Sequence, residues 1–101
     1  MIEKVLSKND TPIRLTDERW AHIVEEHCEL AGMRLEVLET VASPSRILEG
    51  KAGELLAVRE INPGKHLVVI YKELANDGFI ITAFITSNIT SLDRRIQIWP
   101  K

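Results

Sequence analysis

The sequence predicts a single α+β domain, helical in its first half and an antiparallel sheet in its second. Three observations carry this. Apolar residues recur at helical spacing between residues 17 and 42, strand-like alternation takes over after Arg46, and the strands are joined by short turns. Consecutive strands without long crossovers belong to an α+β sheet rather than to βαβ units. The expected architecture is therefore a set of N-terminal helices packed on one face of a four- to five-stranded antiparallel sheet, with residues 1–101 forming one domain.

Thr16 is a suitable cap for the first helix, and Asp17 and Glu18 place negative charge in its first turn, where the helix dipole favours it. Trp20, Ile23, Val24 and His27 follow at i, i+3, i+4 and i+7, the spacing of one buried face. Gly32 separates a second helix with Leu35, Leu38, Val41 and Ala42 as its stripe, and Pro44 ends it because the residue before a proline is pushed out of the helical region. Strands are expected at residues 46–49, 54–61, 66–72 and 79–86, with residues 96–99 as a closing edge strand. Asn62-Pro63-Gly64-Lys65 is a strong turn, since proline pre-sets its second position and glycine accepts positive φ.

Alternation sorts the side chains. Leu67, Val69, Ile81 and Ala83 are expected to pack on Trp20, Ile23 and Leu38, leaving the mixed face open. A two-residue turn at Pro63-Gly64 sets Ile61 opposite His66 and Arg59 opposite Val68, and residues directly opposite share a face. A loop over residues 74–78 sets Lys72 opposite Ile80. The open face then gathers Arg59, His66, Lys72, Thr82 and Thr86 with no carboxylate from the two central strands. Ile70, Ile80 and Phe84 would lie among them as an apolar patch, the basis for an alternative homodimer interface.

Composition narrows the class. Apolar residues at 45% and charged residues at 28% describe an ordinary globular chain. The longest apolar run, residues 67–71, is far short of the roughly 20 needed to span a bilayer. With Cys28 as the one cysteine, no intramolecular disulfide can form, and a reducing cytoplasm is the expected location. Net charge is −2, but residues 1–45 carry five Lys/Arg against nine Asp/Glu and residues 46–101 carry eight against six. An anionic partner is therefore expected at the sheet half.

His22 and His27 are five residues apart, about 140° around a helix, so they do not form a metal-binding i, i+4 pair. Cys28 adjoins His27, but adjacent helical residues do not face each other, which leaves no Cys–His nucleophile. No set of Cys, His and carboxylates has metal-ligand spacing, so neither a metal nor a cofactor is expected. An anion-binding face built from Arg, Lys and Thr suits phosphate, whose transition states need cations and hydroxyl donors.

The segments RLTDERWAHIVEEH, SPSRILEG, GELLAVREI, KHLVVIYKE and DGFIITAFITS, within residues 14–87, resemble small prokaryotic and phage proteins of the barnase–EndoU–colicin–RelE-like (BECR) superfamily of nucleases. The resemblance implies an RNA site on the sheet face opposite the helices. It also implies metal-independent cleavage, in which the substrate 2′-hydroxyl attacks the neighbouring phosphate to leave a cyclic phosphate. The positions matching the superfamily's active residues are His27, Arg59 and Thr82 or Thr86, with Lys72 as a further cation. His66 and Thr86 would contact substrate, and either His27 or His66 would act as general acid or base. The function expected is a ribonuclease toxin of a toxin–antitoxin or phage-conflict system. RNA would be its substrate, and an antitoxin protein or a second copy its further partner. The alternative is a non-catalytic RNA- or protein-binding module using the same face.

Overall fold

A computed structural model describes residues 2–101 and corrects the expected architecture at both ends of the chain. The chain opens with a hairpin, β1 (Ile2–Leu6) and β2 (Pro12–Thr16), before any helix. Then come α1 (Asp17–Glu26), a single 3-10 turn (Cys28–Leu30), α2 (Arg34–Ala42), β3 (Arg46–Glu49), β4 (Leu55–Asn62), β5 (Lys65–Glu73) and β6 (Gly78–Thr86). A short α3 (Ile89–Asp93) and β7 (Gln97–Trp99) complete the order. The strands form one seven-stranded mixed sheet, β1-β2-β6-β5-β4-β3-β7, with β2 and β6 parallel. A four- to five-stranded, purely antiparallel sheet behind N-terminal helices is therefore not the fold.

The hairpin escaped sequence reading because its signals are short. Only Ile13 and Leu15 alternate in β2, and Pro12, which argues against a strand interior, occupies the tolerated first position. Elsewhere local chemistry acts as expected. The Thr16 hydroxyl caps α1, accepting from the Arg19 N–H at 3.0 Å. In α2 the buried stripe is Val37, Leu38, Thr40 and Val41, whereas Leu35 is 64% exposed. The Thr40 hydroxyl is accommodated by donating to the Glu36 carbonyl at 2.8 Å.

Helices α1 and α2 cover one face of the sheet, and α3 covers part of the other. On one face, Ile23, Leu30, Val37, Leu38 and Val41 pack on Ile13, Leu15, Ala57, Leu67, Val69, Tyr71, Ile80 and Ala83. On the other, Leu92 of α3 seats on Leu48, Leu56, Val58 and Val68, with Ile70 and Phe84 beside them. Burying one such leucine contributes about 1.5–3 kcal/mol, enough to hold a helix too short to be stable alone. Arg46 of β3 also reaches α3, donating to Asp93 at 2.9 Å.

Two β-bulges decide which side chains share a face. Asn62 pairs with Lys65 across Pro63-Gly64, as expected, with Gly64 at φ +77°. The register then shifts between Glu60 and Asn62, so Glu60 lies opposite His66 and Arg59 opposite Leu67. One extra residue in one strand reverses the facing of all that follow it. Arg59 therefore lies on the helix-covered face, its Nη1 3.6 Å from Glu39 of α2, and does not share a face with Thr82. The β5–β6 loop is also shorter than expected, setting Lys72 opposite Phe79 and Tyr71 opposite Ile80. A second bulge leaves Ile81 unpaired, and Ile70 then faces Thr82. Ile80, not Ile81, consequently enters the core, and it leaves the apolar patch assigned to the open face.

Candidate open-face site

The face opposite α1 and α2 carries one cross-strand row of polar residues and, beyond it, single polar residues set among apolar ones. Glu60, His66 and Thr86 face one another across β4, β5 and β6. Two residues further along, Phe84 lies opposite Val68, and beyond it Thr82 lies opposite Ile70. Lys72 follows on the same face of β5, opposite Phe79. On the edge side, Phe79 is paired with Arg14 of β2, whose guanidinium lies 5.9 Å from its ring and is ion-paired to Asp77.

His27 reaches this face from the helical layer for a topological reason. β2 pairs with β6 only at Gly78 and Phe79 and then passes directly into α1. Among the described residues the remainder of β6 has no strand on that side, and α1 runs beside it. His27 closes α1, donating its N–H to the Ile23 carbonyl at 2.8 Å. Its ring centroid is 6.2 Å from that of Phe84, tilted by 39°, a geometry favoured by aromatic pairs. Its Nδ1 is 3.8 Å from the Glu29 carboxylate.

Of the residues singled out by sequence, His27, His66, Thr82 and Thr86 thus lie around Phe84, Lys72 lies further along the same face of β5, and Arg59 lies on the other face. Phe84 is the centre of the arrangement. It is half-buried, with His27 beside it and His66 on the adjacent diagonal, about 7–8 Å away between Cα atoms. The Thr86 hydroxyl accepts from the Asn88 N–H at 3.0 Å and keeps its own proton to donate. Sequence reading missed Glu60, which the bulge exchanges for Arg59, and Phe84, which it treated as part of an apolar patch. Alternation alone held no signal for either.

Positive charge on this face is mostly paired: Arg14 with Asp77, Arg46 with Asp93, and Lys72 and Arg95 near Glu54. The Glu54 carboxylate accepts from the Ala52 N–H at 2.8 Å. That bond and its own backbone N–H, then Arg95 and Lys72, hold its pKa below the ordinary value. Among the described residues no group of three or more His, Cys, Asp or Glu is gathered as a metal-ligand set. His22 stays apart, lining a cavity of about 340 Å³ with Thr16, Glu18, Arg19 and Glu26 on the outer side of α1. No helix among the described residues is long and apolar enough to cross a membrane.

Family models, curated proteins and solved structures were each searched, and none matches this chain. The open face must be read from its own chemistry.

Proposed function

We propose that the chain is a metal-independent endoribonuclease, acting as the toxin of a toxin–antitoxin or phage-conflict system, with the Phe84 face as its active site. The observation that carries the reading is the placement of two imidazoles around one partly buried aromatic ring, His27 at 6.2 Å and His66 one diagonal away. An aromatic face stacks an unpaired base regardless of its identity. Two imidazoles can supply the base and the acid that transesterification requires.

In this mechanism a single-stranded RNA lays one base on Phe84. One imidazole takes the proton of the 2′-hydroxyl as its oxygen attacks the adjacent phosphorus, and the other protonates the departing 5′ oxygen. The products are a 2′,3′-cyclic phosphate and a free 5′-hydroxyl. Thr82 and Thr86, two residues either side of Phe84 on the same face, donate hydrogen bonds to the non-bridging oxygens. Glu60, directly opposite His66, is the acceptor that orients that ring. Lys72 is four residues along β5 from the residue facing Phe84, roughly 13 Å at the strand rise, and holds a neighbouring phosphate. Arg59 has no part in it.

The test is cleavage of end-labelled single-stranded RNA in the presence of chelator. The parent should leave cyclic phosphate termini and spare a substrate with 2′-deoxyribose at the cut. His27→Asn and His66→Asn should each lower the rate roughly 10²–10⁴-fold. Expression of the parent should arrest bacterial growth, and expression of either variant should not. RNA left intact by the parent, or cut equally well by both variants, would overturn the reading. Binding without cleavage would reassign the face to an RNA-binding module.

A further inference from the structure

A second site lies away from the open face, at the end of the sheet where its two edges meet. β1 and β7 are the outermost strands in the order, yet Lys8 of the β1–β2 loop places its Nζ 4.5 Å from the centroid of Trp99 in β7. The sheet therefore curls until that loop reaches its far edge, in keeping with strand twist. The loop is anchored where it crosses. The Ser7 hydroxyl donates to Glu73 Oε2 at 2.5 Å and Asn9 Nδ2 donates to Glu73 Oε1 at 2.9 Å. Lys8 sits between these two anchors. On the β7 side, Gln97 Nε2 donates to the Pro100 carbonyl at 2.9 Å and steadies the turn after Trp99.

Between the two segments is a cavity of about 330 Å³ lined by Lys8, Asn9, Ile47, Leu55, Ile98, Trp99, Pro100 and Lys101. We propose that this cavity binds a small, flat aromatic monoanion. Ile47, Leu55, Ile98 and Trp99 give it an apolar floor and an aromatic wall, the usual surroundings of a ligand body. Among its lining side chains two are lysines and none is a carboxylate. The nearby Glu73 carboxylate is engaged by Ser7 and Asn9. Among the described residues Lys8 has the Trp99 ring for a partner and no side-chain carboxylate. A cation held over a ring at an exposed site is only weakly stabilised, so its charge is left to be met by an anion. The volume is at the small end of ligand pockets and suits a bicyclic acid rather than a dinucleotide.

The probe is 2-naphthoate, with neutral 2-naphthamide as its shape-matched control, titrated into the intact protein and followed by NMR and calorimetry. Naphthoate should bind, shifting the Trp99 indole signal and the amides of residues 8–9 and 97–101 while leaving His66 and Phe84 unmoved. Lys8→Met keeps the apolar stem and should weaken binding about tenfold, the scale of one desolvated cation–anion contact. Phe84→Leu should leave binding unchanged and so separates this cavity from the open face. The proposal is overturned if naphthamide binds as tightly as naphthoate, or if folded Lys8→Met binds like the parent. It is equally overturned if the shifts map to the open face or no binding is detected.

Discussion

Arg59 faces Glu39 across 3.6 Å, with both side chains partly exposed to water. Exposed pairs of this kind contribute about 0–1 kcal/mol. Arg59→Ala should therefore shift urea stability by less than about 1 kcal/mol and leave RNA cleavage at the parent rate. A large loss of cleavage in that variant would return Arg59 to the site and contradict the observed register. Glu54 provides a test of the charges around Lys72. Its carboxyl is held below the ordinary 4.5, first by backbone N–H donors and then by Arg95 and Lys72. A depressed carboxylate favours the folded state above its unfolded pKa, and that contribution disappears as pH falls through the folded value. The stability gap between parent and Glu54→Gln should accordingly be constant near neutrality and close as pH drops below 4.5. A carboxyl titration by NMR with its midpoint at or above that value would contradict the assignment.

At the scale of elements, the join between the N-terminal hairpin and the rest of the sheet depends on very little backbone. β2 meets β6 at two positions, Ile13 with Gly78 and Arg14 with Phe79. Gly78 is buried there, and a Cβ added to it would fall on the Lys72 carbonyl oxygen and 2.7 Å from Ile13 Cδ1. The carbonyl belongs to a paired strand and cannot swing aside. Gly78→Ala should cost about 1–3 kcal/mol, the range for overpacking a tight site, with amide exchange rising first in β1 and β2. A variant as stable as the parent would mean that this junction has slack. The neighbouring bulges act differently. They set facing rather than stability: the one after Glu60 exchanges Arg59 for Glu60 on the open side, while the one at Ile81 offsets the short β5–β6 loop and returns Thr82 and Thr86 to it.

Over the whole molecule, Tyr71 reports on the core. It is fully buried among the residues that both sheet and helices supply, and it is the one tyrosine in the chain. Burial, and secondarily the charge of Glu73, raise its phenol pKa above the ordinary 10. Because the folded pKa lies higher, stability is unaffected below pH 10 and falls as pH rises beyond it, where the unfolded chain releases the proton and the folded one does not. The phenolate absorbance should therefore appear together with loss of folded circular dichroism, and Tyr71→Phe should blunt the alkaline decline. A Tyr71 that ionises near pH 10 while the fold persists would contradict its burial.

The amino-acid sequence alone was enough for the capped α1, the Pro63-Gly64 turn, five of the seven strands and the buried role of Ile23, Leu38, Leu67, Val69 and Ala83. These depend on chemistry within a few residues: a hydroxyl at a helix start, a proline–glycine pair, a run of β-branched side chains. The first two strands were not legible, since five-residue segments with two or three apolar residues become strands only when a partner is present. Tertiary structure alone decided the composition of the open face. Side chains alternate with period two, so a single bulged residue after Glu60 moved Arg59 to the helices and Glu60 to His66. It likewise brought His27 to Phe84, because β2 leaves β6 after two pairs and hands the vacated edge to α1.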